Sequence, residues 1–272
     1  MAGAAETGLY PFTNTSWEIN ICDKIDEAAE ETIYEEEILY DEELLSEIRG
    51  KIDFVYPEEA DTKIPSKVTA SAVTAKEHRD IIIRELAKPA WLMDKGITPA
   101  QKGTIMHRFM QFCDFSRAKE DPQKELERLV EMNFLLEEEA KHVDIGKART
   151  FLNSSLGKRV LSSQGVQKER RVTAEIEACE VFEDEQAKAS ASKVILQGEV
   201  DCVFEEDGEL CIIDFKTDRI RDMHELKHLY MTQLKLYAKA MNQVTGMKVK
   251  ECYIYSMYNN DAVLCIDSSS LG

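Results

Sequence analysis

The sequence lacks any long apolar segment, although hydrophobic residues make up 43% of its 272 positions. A membrane-spanning helix needs about 20 consecutive, mostly apolar residues, and the apolar runs here are only a few residues long. The first residues, MAGAAETGLYPF, contain neither the basic nor the apolar stretch of a secretory signal peptide. We therefore expect no transmembrane span, no secretion signal and no membrane partner.

Cysteine pairs with the spacing of a zinc or redox motif are also missing. The seven cysteines are scattered, and no two of them form a C-x-x-C pair. This pattern argues against the common zinc motifs and against a disulfide framework. Free cysteines in apolar strands behave as small hydrophobic residues, so we predict a cytoplasmic protein.

Basic residues are scarce, and the formal net charge is −18. The excess is concentrated in residues 21–60, where fifteen acidic and three basic residues give a net of −12. Such a charge disfavours nucleic acid as a partner, but a local basic groove elsewhere is compatible with it. We predict an acidic leader with a helical segment over 1–60 and a main domain over 61–272. A nucleic-acid mimic or a docking tail is the alternative for the acidic segment.

The periodicity of the main domain places helices first and most strands afterwards. Helical spacing covers much of 102–155, and a long helix is predicted over about 223–242. The strand-like segments are 170–182, 193–204, 209–216, 250–258 and 262–267. This order predicts an α/β fold with a mixed β-sheet core flanked by helices.

The segment DCVFEEDGELCIIDFKTD, residues 201–218, predicts a β-hairpin with charged groups inside its strands. The Asp-Gly dipeptide at 207–208 favours a two-residue type I′ turn. This turn places Asp201 directly opposite Asp214 across the ladder.

Side chains alternate between the faces of a strand, so one face of this hairpin is predicted to be apolar. Its residues are Val200, Cys202, Phe204, Cys211, Ile213 and Phe215. The other face gathers charges at its open end, with Glu199 opposite Lys216 and next to the two aspartates.

Directly opposed carboxylates destabilise a ladder. At about 5 Å and an effective dielectric constant near 20, they repel by roughly 3 kcal/mol. A cation between them removes this repulsion, and oxygen ligands with room for water suit Mg²⁺ or Mn²⁺. A solvent-exposed face on which Lys216 screens the acids is the alternative.

The hairpin resembles the core of RecB-type PD-(D/E)xK nucleases. GEVD at 198–201 matches their G-x-x-D form, and DFKTD at 214–218 matches their D-[YF]-K-[TS]-D segment. GTIMHRFMQ at 103–111 resembles their G-x-x-x-H helix, and QLKLY at 233–237 matches their Q-x-x-x-Y motif. IPSKVTAS at 64–71 is similar to the opening of the C-terminal nuclease domain of AddA, which belongs to the bacterial AddAB helicase–nucleases.

This resemblance implies a restriction-endonuclease-like fold and a metal-dependent DNA exonuclease that serves double-strand-break repair by recombination. It implies that Asp201 and Asp214 are catalytic metal ligands, joined by His107 and the backbone carbonyl of Phe215. Lys216 is the third implied catalytic residue, which orients the attacking water or stabilises the transition state. A purely structural helix contact is the alternative for His107.

Three supporting residues are implied with more than one role. Glu199 is either an outer metal-shell group or a partner of Lys216. Gln233 and Tyr237, one helical turn apart, either position the active-site strands or contact the DNA backbone. A packing role alone is the alternative for Tyr237.

The implied cofactor is Mg²⁺ or Mn²⁺, and the implied partners are single-stranded DNA, a helicase portion of the same full-length bacterial protein and an AddB-type subunit. No iron–sulfur cluster is expected, because the four-cysteine spacing is missing. LNSSLGKRV lacks the leading glycine of a Walker A motif, so no ATP site is expected either. A non-catalytic DNA- or subunit-binding module and a stand-alone RecB-family exonuclease remain open. Arg219 and Arg221 either meet phosphates or pair with Asp218 and Asp222.

Overall fold

The computed structural model describes residues 41–54, 56, 59, 61–77, 97–182, 185, 187 and 190–267. The chain divides into two compact units, Met1–Val55 and Tyr56–Gly272. In the first unit, helix α1 (Glu42–Ile52) begins after Asp41, whose carboxylate accepts a hydrogen bond from the Glu43 amide. None of the side chains in this described helix is buried. The predicted acidic leader over 1–40 lies outside the described residues.

The second unit opens with short elements and then a layer of helices. A 3₁₀ turn (Asp61–Lys63), β1 (Lys67–Thr69) and α2 (Ala70–Glu77) are followed by α3 (Pro99–Phe112), α4 (Phe115–Glu120), α5 (Pro122–Glu131), α6 (Glu137–Ala140), α7 (Ile145–Asn153) and α8 (Ser155–Ser162). Thr98 and Gln101 form a capping box at the start of α3, where Pro99 occupies the first turn. Asp121 and Ser154 cap α5 and α8 in the same way, through side chains that accept backbone amides.

The remaining elements build most of the sheet. They are β2 (Val166–Glu177), α9 (Ala178–Val181), β3 (Lys193–Glu206), β4 (Glu209–Lys216), α10 (Met223–Thr245), β5 (Val249–Ser256) and β6 (Asp261–Asp267). The strands of the described residues form one sheet in the order β1-β3-β4-β5-β6, and β2 pairs with the other edge of β3. The β1–β3 and β4–β5 pairs are parallel and the others antiparallel. This confirms the predicted mixed sheet. Within the described parts of the chain, no helix is both long and apolar enough to cross a membrane.

Hydrophobic clusters cover both faces of the sheet, as β4 shows. Leu210 and Ile212 pack in the cluster that includes α2 and α10, whereas Cys211, Ile213 and Phe215 pack in the cluster of α3 to α8. Because side chains alternate along a strand, these clusters lie on opposite faces. The sheet is therefore a middle layer between α10 and the helical layer.

The hairpin between β3 and β4 has the predicted turn and register. Asp207 and Gly208 have φ values of 56° and 79°, as a type I′ turn requires. The ladder runs from the pair Glu206–Glu209 to the pair Cys202–Ile213. The predicted register is confirmed over these pairs.

The ladder stops before the two charged pairs that the sequence predicts. Along one edge of β3, β1 pairs with residues 195–197 and β4 pairs with residues 202–206, while β2 occupies the other edge. Residues 198–201 therefore have no strand on that edge among the described residues. Asp201–Asp214 and Glu199–Lys216 are not ladder pairs, because β4 separates from β3 beyond Ile213.

Val200 does not share the face of Cys202. It packs in the α10-side cluster with Val203, whereas Cys202 packs in the opposite cluster. Strict alternation is interrupted at Asp201, where the β2–β3 ladder lacks a pair and Glu169 has a φ of 49°. The prediction for Val200 is therefore wrong.

An ion-pair cluster fastens the turn end of the hairpin to the helical layer. The Arg159 guanidinium on α8 lies 2.6 Å from a Glu206 carboxylate oxygen and 2.5 Å from a Glu251 carboxylate oxygen. Arg159 also donates a hydrogen bond to the Tyr253 hydroxyl at 2.9 Å. The hydrogen bond from Arg159 outweighs burial and, with one from Lys250, lowers the pKa of Glu206 to about 2.

We expect Glu206 to make the stability of the protein depend on acidic pH. Its pKa falls from 4.5 to about 2 on folding, so the carboxylate stabilises the fold above about pH 4.5, and this contribution is lost as the pH falls towards 2. Glu206→Gln should lower the free energy of unfolding at pH 7 by about 1–2 kcal/mol, and its difference from the wild type should shrink between pH 4.5 and 2. Urea denaturation across this range measures both. The neighbouring Glu205→Gln serves as the control, and a Glu206→Gln difference that stays constant with pH would contradict the assignment.

Candidate active site

A buried carboxylate and an ammonium meet at the carboxyl end of β4. Asp214 is 1% exposed, and Lys216 Nζ lies 2.7 Å from its Oδ2 atom. The ammonium also lies 4.1 Å from the centre of the Tyr230 ring, a favourable cation–π contact. Burial opposes the charge on Lys216, but the carboxylates of Asp214 and Asp201 outweigh it and raise the lysine pKa. Lys216 is therefore charged at neutral pH.

Asp201 occupies the end of the unpaired stretch of β3 and reaches towards β4. Its Oδ2 atom accepts a hydrogen bond of 2.7 Å from the Phe215 amide, and His107 Nδ1 lies 3.7 Å from the same oxygen. Burial, and then the charge of Asp214, raise the pKa of Asp201 well above its usual range, although Lys216 and the Phe215 amide oppose the shift. The fold thus brings two carboxylates together in a setting that disfavours their combined negative charge.

His107 enters the site from α3, which approaches the strand ends closely. A Cβ atom on Gly103 would lie 2.5 Å from Thr217 Oγ1, so the glycine of the G-x-x-x-H pattern lets the helix approach the segment after β4. Burial, and then the charge of Lys216, lower the pKa of His107. The imidazole is therefore neutral at pH 7, the state in which its nitrogen can bind a metal.

Gln233 and Tyr237 support Asp214 from α10. Gln233 Nε2 donates hydrogen bonds to Asp214 Oδ1 at 3.4 Å and to the Tyr237 hydroxyl at 3.1 Å. Both side chains are buried, which favours positioning of the strands over contact with DNA. A Cβ atom on Gly198 would lie 2.4 Å from a Tyr237 ring carbon, so the glycine of GEVD makes room for this ring against β3.

Glu199 lies apart from Lys216. Its carboxylate is 43% exposed and forms an ion pair of 3.4 Å with Arg171, its ladder partner on β2. Lys216 pairs with Asp214 instead. The predicted Glu199–Lys216 pair is wrong, because β3 at this point is paired with β2 and not with β4.

Glu169 on β2 is a site residue that the sequence patterns do not reveal. It is half-buried, and its left-handed φ of 49° is uncommon for a non-glycine residue. Burial, and then the charges of Glu199 and Asp214, raise its pKa, and its own charge contributes to the raised pKa of Asp201. Glu169 is thus a third carboxylate within electrostatic range of the two aspartates. Only the β2–β3 register places it beside Asp201, and nothing in QKERRV indicates that register.

The donor set suits a hard divalent cation. The buried Asp214 Oδ2 atom accepts no hydrogen bond from the described residues, although it forms the ion pair with Lys216. Carboxylate oxygens together with one neutral imidazole are suitable ligands for Mg²⁺ or Mn²⁺. Asp201, Asp214 and His107 could therefore hold such an ion.

A second group of potential ligands has a simpler explanation. Ligand atoms of Glu206, Cys211 and Glu251 lie within 4.8 Å of one another. Arg159 lies at 2.6 and 2.5 Å from the two carboxylates, so its guanidinium already neutralises them. We interpret this group as a structural ion-pair cluster.

Known proteins share this chain's sequence over most of its length. The PD-(D/E)XK nuclease superfamily matches residues 82–263. The AddA-type component of an ATP-dependent helicase/nuclease from Clostridium botulinum (strain Hall) is 34% identical over 265 residues, which cover 92% of this chain and 20% of that protein. A protein of the same name from Thermoanaerobacter sp. (strain X514) is 33% identical over 229 residues, 79% of this chain and 19% of its own. The chain thus spans about a fifth of the length of these relatives.

One solved structure, titled "Crystal structure of SSO0001", is a more distant match. It covers 81% of this chain and 73% of its own, with a TM-score of 0.33 and 11% identity. This likeness is too weak to support an argument about the site.

We expect Gly198→Ala to destabilise the protein, because the added methyl group would overlap the buried Tyr237 ring. Overpacking of this kind costs about 1–3 kcal/mol, which urea denaturation can measure. Gly165→Ala is the matched control, since a Cβ there meets no atom within 4 Å. In a Tyr237→Leu background the cost of Gly198→Ala should fall. An unchanged cost in that background would show that the ring contact is not its cause.

Proposed function

Because this chain belongs to the PD-(D/E)XK nuclease superfamily, we propose that it hydrolyses phosphodiester bonds of DNA with the help of a divalent ion, Mg²⁺ or Mn²⁺. The observation that carries this proposal is the cluster of Asp201, Asp214 and Lys216, in which two carboxylates and an ammonium are held together in a largely buried site. A structural role alone gives no reason to gather opposed carboxylates beside a neutral histidine. The complete set of acids and lysine favours an enzyme over a non-catalytic binding module.

Asp201, Asp214 and His107 would hold the ion, with the Phe215 backbone carbonyl as a further ligand. A divalent ion bound there would polarise the scissile phosphodiester and lower the pKa of an attacking water. The Phe215 amide fixes the rotamer of Asp201, and Gln233 orients Asp214 through Oδ1.

Lys216 acts as a fixed positive charge beside the reacting phosphate. Its Nζ atom is held by Asp214 and by the face of the Tyr230 ring, and its side chain is only 15% exposed. An ammonium that is already oriented in a poorly solvated site stabilises developing negative charge better than one in water. Lys216 either stabilises this charge or orients the attacking water. Glu169 and Glu199 complete an outer ring of carboxylates around the ligands.

We further propose the context in which this domain works. The names of the relatives, together with the fifth of their length that the chain spans, support a nuclease domain that works with an ATP-dependent helicase portion and an AddB-type subunit. The substrate would then be single-stranded DNA released by the helicase, degraded from its ends during recombinational repair of double-strand breaks in the bacterial cytoplasm. Residues 61–272 would form this nuclease domain, and 1–60 a separate acidic segment.

We expect Asp214→Asn to abolish cleavage, because it removes a charged ligand while it preserves the shape of the side chain. The rate should fall at least about 10³-fold, which corresponds to about 4 kcal/mol of lost transition-state stabilisation. The measurement uses end-labelled linear and circular single-stranded DNA with Mg²⁺, Mn²⁺ or EDTA. An exonuclease should degrade only the linear strand, and only in the presence of a divalent ion.

The matched control is Asp207→Asn, an identical chemical change in the turn of the same hairpin. Asn-Gly also favours a type I′ turn, so this variant should fold and cleave as the wild type does. Undiminished cleavage by Asp214→Asn, in protein whose activity co-purifies with it through gel filtration, would refute the proposed site.

A further inference from the structure

The segments that follow β4 and β5 form one ridge next to the candidate active site. β4 and β5 are parallel, so their carboxyl ends lie at the same edge of the sheet. The Met257 amide donates to the Lys216 carbonyl at 2.8 Å, and the Asn259 side-chain amide donates to the Ile220 carbonyl at 2.9 Å. Segments 217–222 and 257–260 are therefore tied to each other and to Lys216.

Two arginines of this ridge are exposed and not engaged by the acids beside them. Asp218 accepts a hydrogen bond of 2.9 Å from the Tyr230 hydroxyl, and Asp222 caps α10 by accepting the His224 amide at 2.8 Å. Within the described parts of the chain, neither Arg219 nor Arg221 forms an ion pair. Of the two roles that the sequence leaves open for these arginines, pairing with the neighbouring acids is thus not observed.

Positive charge converges on Tyr258, which lies on the same ridge. A hydrogen bond with Arg221, followed by the charges of Arg221, Arg219 and Lys147, lowers the pKa of the Tyr258 hydroxyl. Lys147 comes from the start of α7, so three cations from two separate regions surround one hydroxyl. In a protein with a net charge of −18, such a local concentration of positive charge contrasts with the rest of the chain.

We infer that Lys147, Arg219, Arg221 and Tyr258, here called the basic ridge, bind the sugar–phosphate backbone of a DNA strand and guide it towards Lys216. This inference rests on the proposed function, since it assigns a path to the substrate of the same site. Arginine forks match phosphate oxygens in pairs, and a tyrosine hydroxyl donates to them. The contact is independent of base sequence, as a degradative nuclease requires.

The test compares binding of a fluorescein-labelled single-stranded 20-mer to the wild type and to Arg219→Gln/Arg221→Gln. Anisotropy is measured in EDTA, which prevents cleavage, over 50–200 mM salt. Each lost phosphate contact lowers the slope of log K against log salt by about 0.7 for single strands, so the double variant should lose about 1.4. Its affinity at 100 mM salt should fall roughly 5- to 20-fold.

The matched control, Lys235→Gln/Lys248→Gln, removes the same charge elsewhere. Lys235 lies on the exposed side of α10, and Lys248 precedes β5 at the end opposite Tyr258. This variant should bind within about twofold of the wild type, with an unchanged salt slope. Arg221→Lys, which keeps the charge, should keep the slope and lose less affinity. With Mg²⁺, the double arginine variant should raise KM and leave kcat unchanged.

The outcomes separate this inference from the proposed function. Wild-type affinity and salt slope in Arg219→Gln/Arg221→Gln would overturn the basic ridge even if the wild type cleaves DNA. A wild type that binds DNA but never cleaves it, with the slope lost in the double variant, would overturn the proposed function and support the ridge. A wild type that does not bind the 20-mer would overturn both. Equal denaturation midpoints for all variants would exclude misfolding as the cause.

Discussion

The hydrogen bond from the Phe215 amide to the Asp201 carboxylate holds the site together at the point where β4 separates from β3. A continued ladder would have paired the two strands through their backbones and directed Asp201 and Asp214 at each other across it. Instead the side chain of Asp201 accepts the Phe215 amide at 2.7 Å. The strands can diverge without an orphaned buried amide, and the opening admits His107 from α3 and the Tyr237 ring from α10.

The two ends of the hairpin solve the same electrostatic problem differently. At the turn end, Glu206 and Glu251 lie on either side of the Arg159 guanidinium, which neutralises both and adds a hydrogen bond to Tyr253. At the open end, Lys216 contacts Asp214, while burial and the neighbouring charge leave the pKa of Asp201 raised. A cluster that serves stability alone resembles the first arrangement. The second leaves negative charge only partly compensated, which is the property that a divalent ion requires of its ligands.

The glycines of two motifs have a direct steric explanation. A side chain at Gly103 would overlap Thr217, and one at Gly198 would overlap Tyr237. Each glycine thus lets a helix or a helical side chain approach the strands that carry the acids. The spacing in G-x-x-x-H and G-x-x-D reflects this packing: the glycine makes the close approach, and the functional residue follows at a set distance along the same helix or strand.

Local chemistry was enough to predict much of this molecule. The Asp-Gly turn and the alternation of side chains specify the register as far as Cys202–Ile213, and the order of helical and strand-like segments predicts the mixed sheet. The motifs also single out the residues that meet at the end of β4. All of these depend on neighbours within a few residues of one another. The end of the ladder, the position of Val200, the Glu199–Arg171 pair and the approach of Glu169 to Asp201 depend instead on how β2 registers with β3. That register arises from contacts between distant parts of the chain, so short-range patterns could not reveal it.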